Sequence, residues 1–209
     1  MRSIGIIGGS FDPVHLGHVN LAEDAKEQAC LDEVWFMPTN IQPFKQDKKV
    51  AAEEHRLNML YLAISGTEGL KVSTLEMELD GISYTYRTLR TVRASLLEDP
   101  HDLQEAVPKL YFIVGTDSFI KMSIWSHGAE LLTENAIIVG SRPGYREEES
   151  AFYQNKYREL YGTEILVVHN DLLDISSTQR REKVLAGDTI HHLVPKKVAE
   201  YIAQKGLYK

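Results

Sequence analysis

His15 and His18 are the residues in this sequence whose type and spacing most directly suggest chemistry. They close a segment, Gly8–His18, that follows the apolar run Ile4–Ile7 and leads into a stretch that can form a helix. A short strand, a glycine turn and a helix N-terminus bring backbone N–H groups and the positive end of a helix dipole together, which suits a phosphate. A separation of three residues places both imidazoles on one side of that point. The pattern therefore predicts chemistry on a phosphate.

The glycine turn reads GGSFDPVHLGH and differs from the two commoner phosphate loops. A Walker loop needs a Lys-Ser or Lys-Thr pair after its last glycine, and a dinucleotide fingerprint needs G-x-G-x-x-G. The segment instead resembles the first motif of the nucleotidylyltransferase superfamily, in the form found in bacterial nicotinate mononucleotide adenylyltransferases. The simpler alternative, surface histidines on an ordinary helix, does not account for so many specified positions within one short segment.

The resemblance implies roles for the residues of this first motif. His15 and His18 would be catalytic and would hold oxygens of the ATP α- and β-phosphates. The remaining members of the motif would bind ATP around the turn, and these are Gly8, Gly9, Ser10, Phe11 and Gly17.

A second signal, DISSTQRR, leads into the predicted helix 177–186. Ser and Thr can cap a helix whose first N–H groups face an anion, and an arginine one turn later can reach phosphate with a planar fork of donors. Alone, this segment is more simply a capped helix with surface arginines. Beside the first motif it resembles the superfamily's C-terminal ATP-binding motif, which implies a catalytic role for Arg181. The other residues expected to bind ATP are Ile175, Ser176, Ser177 and Thr178.

Two further segments follow predicted strands. In QPFKQ, the resemblance matches Lys45 to a catalytic lysine on the ATP phosphates, whereas Phe44 stands where the family commonly has histidine. Asn40, just upstream, is expected near the acceptor nucleotide. From the residues alone, the carboxylate of Asp117 is equally suited to bind a ribose hydroxyl or to cap the next helix. The family's G-x-D motif favours the adenosine ribose for Gly115 and Asp117.

Three other residues are expected to contact the acceptor. A tryptophan is usually a core residue, but the resemblance implies that Trp125 stacks on the cationic pyridine ring of the acceptor, for which an indole face is suited. It also implies that Thr85 contacts the nicotinate carboxylate and that Arg142, in an R-P-G segment, reaches the nucleotide. Tyr86-Arg87 departs from the family pattern, in which an apolar residue and Asp are common.

Strand-like apolar runs alternate with helical stretches along the chain. This alternation predicts one α/β domain over residues 1–209, Rossmann-like and doubly wound, with a mostly parallel sheet and helices on both faces. Ligands in such sheets lie beyond the carboxyl ends of the strands. The predicted strands are 4–7, 33–37, 70–73, 110–114, 136–140 and 164–168, and the predicted helices are 17–29, 51–64, 84–97, 148–161, 177–186 and 196–204.

Composition limits the classes of function. The 209 residues carry a net charge of −7, which argues against non-specific nucleic-acid binding. The single cysteine, Cys30, excludes an intramolecular disulfide and is expected to pack as a small hydrophobe. No apolar run is long enough to span a bilayer, and the sequence opens directly on the phosphate motif, so we expect a cytoplasmic enzyme. The oligomeric state stays open, a homo-oligomer included.

The resemblance extends from Ile4 to about Ile202 and implies transfer of AMP from ATP to nicotinate mononucleotide. Mg²⁺ would be bound mainly through the ATP phosphates, with no dedicated protein metal site. Two alternatives remain at this stage. One is an enzyme similar to pantetheine-phosphate adenylyltransferase, which carries comparable motifs, and the other is a non-catalytic nucleotide-binding sensor. Trp125, Thr85 and the length of the chain favour the pyridine nucleotide.

Overall fold

One sheet of parallel strands organises the molecule. The computed structural model describes residues 2–40, 50–79, 81–98, 108–141, 144, 146–170, 181, 185–186 and 189–208. The strands in these ranges are β1 (Ser3–Gly9), β2 (Glu33–Pro38), β3 (Leu70–Val72), β4 (Lys109–Gly115), β5 (Ala136–Ser141) and β6 (Ile165–His169). They form a sheet in the order β3-β2-β1-β4-β5-β6, and every pairing is parallel. This is the strand order of the doubly wound dinucleotide-binding fold, so the predicted fold class is confirmed.

Helices cover both faces of this sheet. They are α1 (Leu16–Gln28), α2 (Glu53–Ile64), α3 (Leu75–Glu78), α4 (Thr85–Glu98), α5 (Thr116–Ile120), α6 (Gly128–Glu134), α7 (Glu147–Tyr161) and α8 (Lys196–Lys205), with a 3₁₀ turn at Met122–Ile124. Helices α1, α2 and α8 pack on one face, and α4 to α7 pack on the other. Within the described ranges, no helix combines the length and the apolarity needed to cross a membrane.

The two cores arise because successive strand residues point to opposite faces. In β4, Tyr111 and Ile113 pack into the core under α1, α2 and α8. Leu110, Phe112 and Val114 pack into the core under α4 to α7. Both faces of the central strands are therefore buried, which explains why these strands are continuous apolar runs in the sequence.

The apolar runs predicted the strands well, and all six are strands with bounds within two residues of those expected. Five of the predicted helices are confirmed, whereas most of 177–186 lies outside the described residues. The short helices α3, α5 and α6 were not predicted, since elements of at most seven residues carry too few positions for a helical periodicity to be recognised.

Cys30 does not pack as expected. Helix α1 ends at Gln28, and Cys30 follows it in a left-handed conformation with φ 51° and an exposed side chain. The neighbouring Leu31, at 4% exposure, takes the place in the core. The prediction that Cys30 packs as a small hydrophobe was therefore wrong, and the core residue is the next one, Leu31.

β1 and β4 are adjacent at the point where the strand order reverses, with Ile7 opposite Ile113. β1 ends at Gly9 and β4 ends at Gly115, so the segments that follow both strands leave from the same edge of the sheet. Helices α1 and α5 begin shortly after these ends. The fold thus brings the first motif and the G-x-D motif to one edge, as the sequence predicted.

We expect Gly128→Ala to destabilise the fold. A Cβ at residue 128 would lie 2.4 Å from the backbone oxygen of Met122 and 2.9 Å from backbone atoms of Ser123, so the 3₁₀ turn before Trp125 would have to move. The expected loss in the free energy of unfolding is about 1–3 kcal/mol, measured by chemical denaturation. Gly8→Ala is the control, because its Cβ would meet Phe112 at an ordinary 3.7 Å. Equal stabilities of the two variants would contradict the packing described for Gly128.

Candidate active site

The turn after β1 forms the centre of the site. Gly8 is exposed at the edge of the sheet, and Gly9 follows it at the end of the strand. Phe11 then adopts a left-handed conformation with φ 47°, which turns the chain toward α1. His15 precedes α1 as its N-cap, with extended φ and ψ of −144° and 167°. The first motif therefore connects a strand end to a helix N-terminus, the arrangement that presents N–H groups to an anion.

The two histidine rings lie against each other. Their centroids are 3.5 Å apart with an interplanar angle of 16°, so the predicted placement on one side of the turn is observed. The Nδ1 of His15 accepts a hydrogen bond from the backbone N–H of His18 at 3.3 Å. When Nδ1 accepts, the proton of the neutral imidazole is on Nε2. Capping of the helix thus favours the tautomer of His15 in which Nε2 is a donor.

Phe11 supports the histidines from inside the protein. It is 1% exposed, and its ring packs edge-on against His18 at 5.0 Å between centroids and against Phe36 at 5.6 Å. Phe11 therefore packs beneath His18, and its expected part in binding ATP stays a prediction. Ser10 and Gly17 are buried as well.

Arg56 connects the turn to the next strand, and sequence analysis did not identify it. It is 5% exposed, and its Nη1 donates to the backbone oxygens of Ser10 at 3.0 Å and Thr39 at 2.8 Å. Burial lowers the pKa of Arg56 from its ordinary value. A signal was available: Arg56 lies three and four residues before Met59 and Leu60, which places a charged residue on the buried face of α2.

Arg181 of the second motif reaches the first motif. Its Nη1 donates to the backbone oxygen of Asp12 at 2.5 Å and lies 3.6 Å from the carboxylate Oδ2 of the same residue. Asp12 itself is 2% exposed. Residues 169 positions apart are thus joined at the turn, which brings together two motifs that were both expected to bind ATP.

Gly115 and Asp117 lie at the start of α5. The N-cap position is occupied by Gly115, so the alternative in which Asp117 caps this helix is wrong. Asp117 instead accepts a hydrogen bond from Nη1 of Arg146 at 2.7 Å. Arg146 also donates to Glu149 at 2.7 Å through Nε, and its bonds to Asp117 and Glu149 raise its pKa. Arg146 is a second arginine that sequence analysis did not assign.

Asn40 and Thr85, both expected at the acceptor, are brought close by Ser83. The backbone N–H of Asn40 donates to Oγ of Ser83 at 3.0 Å, and the Asn40 amide donates to the backbone oxygen of Leu79 at 3.2 Å. Thr85 begins α4 two residues after Ser83. A hydrogen bond therefore joins the end of β2 to the segment just before α4.

Trp125 lies in a segment that contacts the start of α4. It is partly buried, with its ring edge-on to Phe112 at 6.4 Å between centroids. Tyr86, which departs from the family pattern, packs its ring on His127 at 4.0 Å between centroids. This contact ties the start of α4 to the segment that carries Trp125. Thr85 and Trp125 are consequently held on adjacent segments, although they are 40 residues apart in sequence.

Glu76 is a buried carboxyl group behind the surface formed by Asn40 and Ser83. It is 5% exposed, and its Oε1 accepts a hydrogen bond from Oγ1 of Thr88 at 2.9 Å. Burial raises the pKa of Glu76, although hydrogen bonds from Thr88 and Ser83 oppose the shift. Glu76 therefore joins α3, α4 and the Ser83 turn. Nothing in its sequence surroundings singled it out.

Six predicted site residues lie outside the described residues. They are Lys45, Arg142, Ile175, Ser176, Ser177 and Thr178. Their assignments stay predictions. No group of three or more His, Cys, Asp or Glu that could hold a metal ion occurs in the described part of the chain.

Comparison with known proteins identifies relatives over the whole chain. The model of the cytidylyltransferase-like family matches residues 6–183. A protein of Halalkalibacterium halodurans named "Probable nicotinate-nucleotide adenylyltransferase" is 37% identical over 210 residues, covering 100% of this chain and 92% of the relative. A protein of the same name from Carboxydothermus hydrogenoformans is 38% identical, covering 99% and 98%.

Solved structures share the fold. The nicotinic acid mononucleotide adenylyltransferase of Plasmodium falciparum, complexed with NaAD, superposes with a TM-score of 0.77 at 22% identity, covering 100% of this chain and 98% of that one. The same enzyme complexed with APC gives a TM-score of 0.74. The six-stranded architecture is therefore that of known nucleotide-binding enzymes.

We expect Glu76→Gln to change how stability depends on pH. A carboxyl group whose pKa is raised in the folded state stabilises the fold below its unfolded pKa, and this stabilisation is lost as pH rises through the folded pKa. The melting temperature of Glu76→Gln minus that of the wild type should thus increase between about pH 5 and about pH 8. Glu78→Gln, exposed on the same short helix, is the matched control. An increase no larger than that of Glu78→Gln would contradict the raised pKa of Glu76.

Proposed function

The chain belongs to the nicotinate-nucleotide adenylyltransferases of the cytidylyltransferase-like family, and on that premise we propose that it transfers AMP from ATP to nicotinate mononucleotide. The products are nicotinate adenine dinucleotide and pyrophosphate, a step of NAD biosynthesis. The observation that carries the proposal is the meeting of Arg181 with the His15–His18 turn at the carboxyl edge of the sheet.

The reaction is an in-line displacement at phosphorus. An oxygen of the acceptor 5′-phosphate forms a bond to the α-phosphorus of ATP, and the bond from that phosphorus to the α,β-bridging oxygen breaks. The bridging oxygen leaves with the electron pair as part of pyrophosphate. The attacking phosphate is already an anion near neutral pH, so no general base is needed. Catalysis then depends on positioning and on stabilisation of charge.

The turn after β1 offers the groups for that stabilisation. The contact of His15 Nδ1 with the backbone N–H of His18 favours Nε2 as the donor, and the stacked ring of His18 lies alongside. We assign both rings to oxygens of the α- and β-phosphates. Arg181 adds a planar cation beside Asp12, suited to the charge that builds on pyrophosphate. Lys45 is proposed to act on the same phosphates.

The acceptor is assigned to the surface between the end of β2 and the start of α4. Trp125 would stack on the pyridinium ring, and Thr85 would donate to the carboxylate. Asn40, bonded to Ser83 and Leu79, would approach the nucleotide from the other side, and Arg142 is proposed to reach it as well. Gly115 and Asp117 would bind the adenosine ribose, in which case the ribose shares the carboxylate with Arg146.

ATP is proposed to arrive as its Mg²⁺ complex, in which phosphate oxygens and water hold the ion. The donors that the described residues bring to the turn are imidazoles and a guanidinium, which suit phosphate oxygens better than a hard cation. The proposal places the protein in the cytoplasm, where both substrates would be found.

Release of pyrophosphate tests the proposal directly. Purified protein is incubated with ATP and Mg²⁺ and with one acceptor at a time, namely nicotinate mononucleotide or phosphopantetheine. We expect release with nicotinate mononucleotide. Release only with phosphopantetheine would identify a pantetheine-phosphate adenylyltransferase instead, and no release with either would favour a nucleotide sensor.

We expect His18→Ala to lower kcat by about 10²–10³-fold, since a preorganised donor to transition-state charge typically contributes that much. Steady-state kinetics give kcat, and a thermal melt shows whether the variant is folded. His169→Ala, an exposed histidine at the end of β6, is the control and should keep wild-type turnover. A folded His18→Ala variant with near-wild-type turnover would remove His18 from the mechanism.

We also expect nicotinate mononucleotide to be preferred over nicotinamide mononucleotide by about a hundredfold in kcat/KM. Stacking on Trp125 cannot distinguish acid from amide, so donors must do so, and each mismatched buried group costs about 1–3 kcal/mol. Thr85→Val should shrink the preference, whereas Thr91→Val on the same helix should not. Equal efficiencies for the acid and the amide in the wild type would leave Thr85 without its assigned role.

A further inference from the structure

Directly after α8, the chain folds back toward the turn that follows β1. Gly206 ends the helix in a left-handed conformation with φ 62°, and the backbone N–H of Leu207 donates to the oxygen of Ile202 at 3.1 Å. Tyr208 is also left-handed, with φ 65°, and packs against the core beneath α1, α2 and α8. This geometry directs the side chain of Tyr208 toward the first motif. The mechanism proposed above gives Tyr208 no role.

The hydroxyl of Tyr208 donates to Oδ1 of Asp12 at 2.6 Å. The same oxygen accepts the backbone N–H of Ala51 at 3.2 Å, whereas Arg181 lies 3.6 Å from the other carboxylate oxygen, Oδ2. Oδ1 of Asp12 thus faces uncharged donors, whereas Oδ2 faces the cationic guanidinium of Arg181. Burial, together with the Asp12 charge, raises the pKa of Tyr208, so its hydroxyl remains a donor at physiological pH.

We propose that Tyr208 is a positioning residue for ATP, because it holds the Asp12 carboxylate in the orientation that keeps its Oδ2 3.6 Å from the Arg181 guanidinium. This inference rests on the proposed function in assigning Arg181 to the ATP phosphates. Arg181 donates to the backbone oxygen of Asp12 at 2.5 Å, whereas the same Nη1 lies 3.6 Å from Oδ2 of the carboxylate. The Tyr208 and Ala51 donors restrain that carboxylate from rotating.

Loss of the Tyr208 hydroxyl removes the shorter of the two hydrogen bonds on Oδ1. The carboxylate of Asp12, 2% exposed, has no access to bulk water to replace it. Rotation toward Arg181 then converts the 3.6 Å contact into a close ion pair. A guanidinium engaged by a carboxylate in this way gives up part of its interaction with phosphate oxygens, so ATP binding weakens.

Tyr208→Phe tests this inference, with Tyr201→Phe as the matched control. Phenylalanine keeps the ring and its packing in both variants. The Tyr201 hydroxyl, on α8, bonds to His55 at 2.9 Å and Asn58 at 3.1 Å and lies outside the proposed machinery. The dissociation constant for a non-hydrolysable ATP analogue is measured without acceptor, followed by KM for ATP and for nicotinate mononucleotide, and by thermal melts.

For Tyr208→Phe we expect the dissociation constant of the analogue and KM for ATP to rise by about five- to thirtyfold, with KM for the acceptor unchanged. Tyr201→Phe should bind the analogue as the wild type does, even if it melts earlier. The inference is overturned if Tyr208→Phe binds the analogue normally, if Tyr201→Phe weakens binding equally, or if both substrate constants rise together.

The binding measurement separates this inference from the proposed function. If the wild type binds the analogue but releases no pyrophosphate with nicotinate mononucleotide, the proposed acceptor is wrong. A selective loss of analogue binding in Tyr208→Phe would still support the positioning role under those conditions. Normal binding by that variant would overturn the role whatever the acceptor.

Discussion

Parallel pairing between β1 and β4 holds two strand ends side by side, and the first motif and the G-x-D motif begin at those ends. A parallel sheet gives all its strands the same direction, so every loop that follows a strand leaves from one edge. The reversal of strand order at this pair then opens a space between the two loops. The helix after each strand contributes its N-terminus to the same space. The site is thus a consequence of topology before any side chain is considered.

Buried polar groups hold this edge in shape. Arg56 joins the carbonyl groups at the ends of β1 and β2, Asp12 gathers donors from three distant segments, and Glu76 joins α3 to the start of α4. Buried charges of this kind contribute little net stability, since desolvation offsets their interactions. Their contribution is positional: Arg56 and Asp12 bond to backbone groups, and Glu76 bonds to the side chains of Thr88 and Ser83. The backbone of the turn is therefore kept in place by side chains from elsewhere in the chain.

The sequence predicted the elements well and their polar connections poorly. Strands such as Leu110–Val114 are recognisable because both faces are buried, and the meeting of Arg181 with the first motif could be anticipated from motif likeness. The hydrogen-bond partners of Asp117 and Glu76 could not be predicted, since a hydrogen bond between side chains far apart in sequence leaves no periodic pattern. Arg56 is the intermediate case, visible as a charge on an apolar helical face. The roles of residues outside the described ranges stay predictions.

The bond between Asp12 and Tyr208 also sets an order of events during synthesis. The two residues are 196 positions apart, and a ribosome adding about 5–20 residues per second needs roughly 10–40 seconds to cover that distance. Throughout that interval the nascent chain already carries His15, His18 and Asp12 but lacks the Tyr208 hydroxyl that bonds to Asp12. The nucleotide site is consequently completed only after Tyr208 has been made, long after its most recognisable motif.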